Sequence, residues 1–132
     1  MEVIELKKCL ALFALVLIIL TGCSSPQPTY RQITQEEAKQ MMDTQQVIIL
    51  DVREQHEYDA GHIENALLLP VGSINAESAA AVLPKKDSAV LVYCRSGNRS
   101  KTASAKLAEL GYTQVYEFGG INTWQHTIVT EG

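Results

Sequence analysis

The sequence predicts an α/β fold: a central parallel sheet of four to five strands with helices on both faces. Three observations lead there. The chain has 132 residues, room for one domain and not for two catalytic ones. Short apolar runs recur at residues 47–51, 66–70 and 89–93, and 114–118 reads as a fourth strand. Segments with helical patterning lie between them, and strands that alternate with helices pair in parallel and are covered on both sides.

The elements follow in chain order. Thr34 and Glu37 have capping-box spacing and open a helix over 34–43. Val47, Ile48, Ile49 and Leu50 lead into Asp51 as a buried strand. Residues 53–60 are polar around Tyr58 and predict one or two helical turns ended by Gly61. The leucines of 66–70 predict a second buried strand, stopped by Pro70. The alanine-rich stretch 73–83 predicts a helix. Residues 89–93 form the third apolar run. Over 99–110, Ala103, Leu107 and Leu110 share one helical face, and Gly111 closes it. Residues 114–118 form the fourth strand, and Gly119 and Gly120 turn into a short terminal helix carrying Trp124.

Composition narrows the function. Hydrophobic residues make up 46% and charged residues 20%, which excludes a mostly disordered or collagen-like chain. The net charge of −4 argues against a nucleic-acid partner, because phosphate binding needs a basic face. No set of residues has metal-ligand spacing, and no cofactor is implied.

The amino terminus reads as an address. Lys7 and Lys8 precede an unbroken apolar run over 9–20, short of the roughly 20 residues a bilayer span needs. Leu20, Thr21, Gly22 and Cys23 follow, and this quartet resembles the lipobox of bacterial lipoproteins. The resemblance implies a signal peptide over 1–22, cleavage before Cys23, and a lipid on the Cys23 sulfur. A tether over 23–29 then leads to a folded domain over 30–132. Such a chain is anchored on the extracytoplasmic side of a bacterial membrane, on the periplasmic face if an outer membrane exists. The alternatives are an uncleaved anchor or a secretory signal cut elsewhere. With Cys23 lipidated, Cys94 is the only free thiol of the mature chain, in a compartment that favours oxidation.

Cys94 follows an apolar strand, at the strand end where parallel sheets bind ligands. Arg95, Ser96, Gly97, Asn98 and Arg99 come next, and then a helix carrying Ser100 and Lys101. Loop amides at such a junction converge as an anion cradle, and the helix end adds partial positive charge. With Arg95 and Arg99 beside it, the thiol is expected to be largely thiolate at neutral pH, with no histidine needed.

At this point the sequence resembles the rhodanese family of sulfurtransferases. The loop from Cys94 to Arg99 matches the family's six-residue active-site loop. Leu50 to Glu54, Glu57, Tyr58, Gly61, His62, Ile63, Ala66 and Pro70 match its amino-terminal signature, and Gly119, Gly120 and Trp124 its carboxyl-terminal turn. Asn65 departs from it, standing where the family usually has glycine. The resemblance implies a rhodanese-like fold and a two-step reaction. Cys94 takes a sulfane sulfur from a donor such as thiosulfate, polysulfide or a persulfide, and a thiophilic acceptor removes it. Arg95 is then placed to attract an anionic donor, and Arg99 to orient the loop or hold the departing anion.

Each feature also has a plainer reading. A cysteine after an apolar strand can be an inert core residue. Asp51 and Arg53 form a structural pair near the loop more readily than a catalytic one. His62 satisfies a turn, while His56 and His126 belong to the surface. Ser96 and Ser100 either donate to bound sulfur or cap the helix. Two other functions stay open: a cysteine phosphatase or arsenate reductase, whose motif has one more residue before the arginine, and a non-catalytic docking or redox-sensing module.

Overall fold

The structure is a computed structural model and describes Gly22 and residues 29–131. The expected signal peptide and the lipid on Cys23 fall outside the described residues. Among the described residues, no helix is long and apolar enough to cross a membrane.

The elements run β1 (Arg31–Gln32), α1 (Gln35–Thr44), β2 (Ile48–Asp51), α2 (Gln55–Ala60), β3 (His62–Ile63), β4 (Leu67–Leu68), α3 (Ala76–Val82), β5 (Ala89–Cys94), α4 (Asn98–Glu109), β6 (Gln114–Gly120) and β7 (Ile128–Val129). Five strands form one sheet in the order β1-β6-β5-β2-β4. All its pairs are parallel. β3 and β7 make a separate antiparallel pair.

Strand alternation builds two cores. Val90, Val92 and Cys94 of β5 join Ala79 of α3 and Ala103 and Leu107 of α4 on one face. Leu91 and Tyr93 join Ala38 of α1, Phe118 and Trp124 on the other. Val90 to Cys94 are each at most 1% exposed. Burying one such valine or leucine contributes about 1.5–3 kcal/mol, so β5 anchors the sheet. α1 begins as the spacing predicts: Thr34 Oγ1 accepts the Glu37 N–H, and Glu37 Oε2 accepts the Thr34 N–H.

Some elements differ from expectation. The stretch 66–70 is not a buried strand. It contributes only the two-residue β4 at the sheet edge, with Leu67 44% exposed, because an edge strand has a neighbour on one side only. The helix expected over 73–83 starts later. Val71–Ser73 is a 3-10 turn, and Asn75 caps α3 by accepting the Ser78 N–H at 2.9 Å. β6 runs past residue 118 to Gly120, and a 3-10 turn, Ile121–Thr123, stands where a terminal helix was expected. The polar β1 carried no apolar pattern to reveal it.

Because the sheet is parallel, Asp51 on β2, Cys94 on β5 and Gly120 on β6 end at the same edge.

Candidate active site

The loop after β5 is shaped by glycines. Val92 lies opposite Glu117 but Cys94 lies opposite Gly120, so β6 carries one extra residue at this point. Gly119 takes up that bulge at φ +92°. The bulge carries Gly120 against the loop: a Cβ there would lie 2.0 Å from the Arg95 carbonyl oxygen. The Asn122 N–H donates to that same oxygen at 3.2 Å. Gly97, at φ +105°, then turns the chain into α4 with no side-chain cap.

The Cys94 sulfur, the last residue of β5 rather than the first after it, sits at the bottom of this turn and is 1% exposed. The Gly97 N–H donates to Sγ at 3.1 Å, and Ser100 Oγ is 3.5 Å away. Burial pushes the thiol up. Hydrogen bonds from the Ser100 hydroxyl and from the Ser100, Gly97 and Ser96 amides outweigh it, and the thiol is held below its ordinary value. A sulfur in this position can act as a nucleophilic thiolate, and the same donors can hold a second sulfur's charge.

The loop's side chains divide. Arg95, Ser96 and Asn98 are exposed, and Ser100 is fully buried. Neither serine caps α4. Ser100 instead reaches Gly97 O at 3.0 Å and Glu117 Oε1 at 2.6 Å. Arg99 grips Glu57 with two bonds of 2.7 and 2.9 Å, which hold the Glu57 carboxyl at about 2. Its charge is therefore partly neutralised within the protein. The lowering of the Cys94 thiol comes from the hydrogen bonds named above, where the sequence placed much of it on the arginines.

Asp51 and Arg53 form the structural pair expected of them. Arg53 Nη2 meets Asp51 Oδ2 at 2.7 Å, with the side chains 7% and 0% exposed. The Arg53 N–H and Nε donate to Oδ1 at 3.0 Å each, and the Tyr93 hydroxyl donates to Oδ2 at 2.7 Å. Arg53 Nη2 also donates to Gly61 O at 2.7 Å. Tyr93 is pushed well up by burial and by the adjacent Asp51 charge, so its hydroxyl stays neutral. His62 stacks on Tyr58 with centroids 3.7 Å apart, and its Nδ1 is 2.8 Å from Tyr58 O, which fits a turn role.

Two site residues had no role in the sequence reading. Glu57 was seen only as part of a signature. Glu117 was not singled out, although a charged residue in a strand covered on both faces has to be buried with partners. It is 3% exposed, accepting from Ser100 and, at 2.8 Å, from the Gly119 N–H.

Comparison with known proteins agrees with this geometry. The family model described as a rhodanese-like domain matches residues 34–127. The thiosulfate sulfurtransferase GlpE of Coxiella burnetii is 37% identical over 97 residues, covering 73% of this chain and 88% of that protein. The tRNA uridine(34) hydroxylase of Photorhabdus laumondii is 31% identical over 98 residues, a match spanning 72% of this chain but only 28% of the hydroxylase. Among solved structures, a rhodanese with anions from E. coli aligns with TM-score 0.61 and 31% identity, over 65% of this chain and all of that one.

Proposed function

The chain belongs to the rhodanese-like domain family, and from that membership we propose that it is a sulfurtransferase working through a Cys94 persulfide. The observation that carries the reading is the sulfur's setting: buried, with the Gly97 N–H at 3.1 Å and Ser100 at 3.5 Å. The Cys94 thiolate attacks the outer sulfur of thiosulfate. A new S–S bond forms, the donor's S–S bond breaks, and sulfite leaves with the electron pair. A thiophilic acceptor then attacks the outer persulfide sulfur, and Cys94 leaves as thiolate. The loop amides stabilise the anion in both states. The exposed Arg95 draws in an anionic donor. Arg99, committed to Glu57, holds the loop on α2. That commitment also disfavours a phosphatase, which needs its arginine on the bound anion.

The proposal extends to location. The basic residues, short apolar core and Leu20 to Cys23 quartet support a lipid on Cys23 and anchoring on the extracytoplasmic side of a bacterial membrane.

One intact-mass experiment tests both parts on the full chain extracted in detergent. Thiosulfate should add one sulfur mass, lost on adding cyanide and absent in Cys94→Ser. The untreated chain should start at Cys23 with acyl mass that Cys23→Ser lacks. No sulfur gain from thiosulfate, polysulfide or a persulfide would overturn the transferase in favour of a docking or sensing module. A chain with no acyl mass would overturn the anchor.

A further inference from the structure

Ser100 has one hydroxyl proton and more acceptors than it can serve. Its Oγ is 2.6 Å from Glu117 Oε1, 3.0 Å from Gly97 O, and 3.5 Å from both Gly119 O and the Cys94 sulfur. The carboxylate is the nearest and the only one that is formally charged while Cys94 is a thiol, so it holds the proton best. With the proton there, Oγ turns lone pairs toward the sulfur. That suits a thiol, which can donate to Oγ. It does not suit a thiolate, which needs the proton turned the other way.

Glu117 is built into this position. It lies in β6, inside the sheet, and is 3% exposed. The Gly119 N–H fixes Oε1 at 2.8 Å, and Gln32 Nε2 approaches Oε2 at 3.4 Å. It makes no salt bridge among the described residues. Charged groups elsewhere around the sulfur are accounted for. Arg99 of α4 is paired with Glu57 of α2, and Arg95 of the loop and Lys101 of α4 are exposed to solvent.

We propose that Glu117 is a positioning residue of the site: through Ser100 it decides whether the loop's one buried hydroxyl offers the Cys94 sulfur its proton or its lone pairs. The carboxylate and the thiolate compete for that proton. Glu117 thereby restrains the stabilisation of the thiolate that the loop amides provide. The restraint has a chemical use, because a thiolate held too far down in basicity is a poorer nucleophile. Glutamine at position 117 removes the competing charge: its amide oxygen, kept in place by the Gly119 N–H, is a weaker acceptor than the carboxylate, and the thiolate can then win the Ser100 proton.

The inference rests on the reading of Cys94 as a working thiolate. Its test is the pH dependence of Cys94 alkylation by iodoacetamide, followed by peptide mass in the full chain, Glu117→Gln, Ser100→Ala and the double variant. Glu117→Gln should move the profile to lower pH, with roughly tenfold more thiolate at pH values below the midpoint, the size of one redirected charge-assisted hydrogen bond. In the Ser100→Ala background the same change should move it clearly less. No shift, an upward shift, or an equal shift without Ser100 would overturn the proposal. If circular dichroism shows Glu117→Gln unfolded, Glu117→Asp serves, because its shorter side chain draws the carboxylate back from Ser100. It should shift the profile in the same direction, and an unmoved profile would overturn the proposal. Alkylation needs no sulfur donor. A normal shift with no persulfide would remove the transferase reading alone.

Discussion

Two polar clusters stand at the same edge of the sheet, one at the end of β2 and one at the end of β5, and they are finished differently. Around Asp51 every strong acceptor is answered: Arg53 and Tyr93 surround the carboxylate with bonds of 2.7 to 3.1 Å. Around Cys94 the excess is in donors, with several loop amides turned toward a single sulfur and the Ser100 hydroxyl 3.5 Å from it. A closed cluster holds shape, whereas donors without a full complement of acceptors can take on new charge. By this contrast Asp51 and Arg53 fit a role in stability, and the loop fits the chemistry proposed for it.

The strongest way to break the comparison is Asp51→Asn. It strands a buried Arg53 guanidinium, and urea unfolding should show a loss of about 3–5 kcal/mol. The folded fraction should still load sulfur on Cys94, and failure to load would erase the division. Gly120→Ala attacks the other cluster. Its Cβ meets the Arg95 carbonyl at 2.0 Å, so the loop has to move. Sulfur loading should fall about 10²-fold, the usual result of misplacing reacting atoms by an ångström, with little change in circular dichroism. Unchanged loading would mean the loop tolerates displacement.

The smallest effect sharpens the tie between the clusters. Arg99 holds Glu57 at about 2, below the ordinary 4.5. A depressed carboxyl contributes stability that is present above its unfolded value and lost as pH falls through its folded one. The contribution should therefore fade between about 4.5 and about 2. The side chains are 34% and 19% exposed, so solvent screening keeps it to about 1 kcal/mol. The difference in unfolding free energy between the parent chain and Glu57→Gln, followed across that window, checks it.

Much of this was legible in the sequence, for reasons that vary by residue. The apolar runs of β2 and β5 announce themselves because burial on both faces leaves no room for polar residues. Thr34 and Glu37 fix the start of α1 through their own hydrogen bonds. The Cys94 loop is read from local order alone, since its amides and glycine are neighbours in the chain. The leucines of 66–70 misled because apolarity does not distinguish an interior strand from an edge. Arg99 and Glu57 are 42 positions apart, and nothing local shows that they meet. Glu117 looks like an ordinary surface acid until the sheet order places β6 between two strands.

The depth of the Cys94 sulfur has a consequence in time. Cys94 is the one free cysteine among the described residues, and it is 1% exposed. On the proposed chemistry, a sulfur parked there has a lifetime set by the width of its doorway. A residue only 1% exposed offers solvent almost no surface, so a reactant has to be narrow to reach it. On that chemistry the cargo waits for a slender acceptor, and steric access sets the clock for its release.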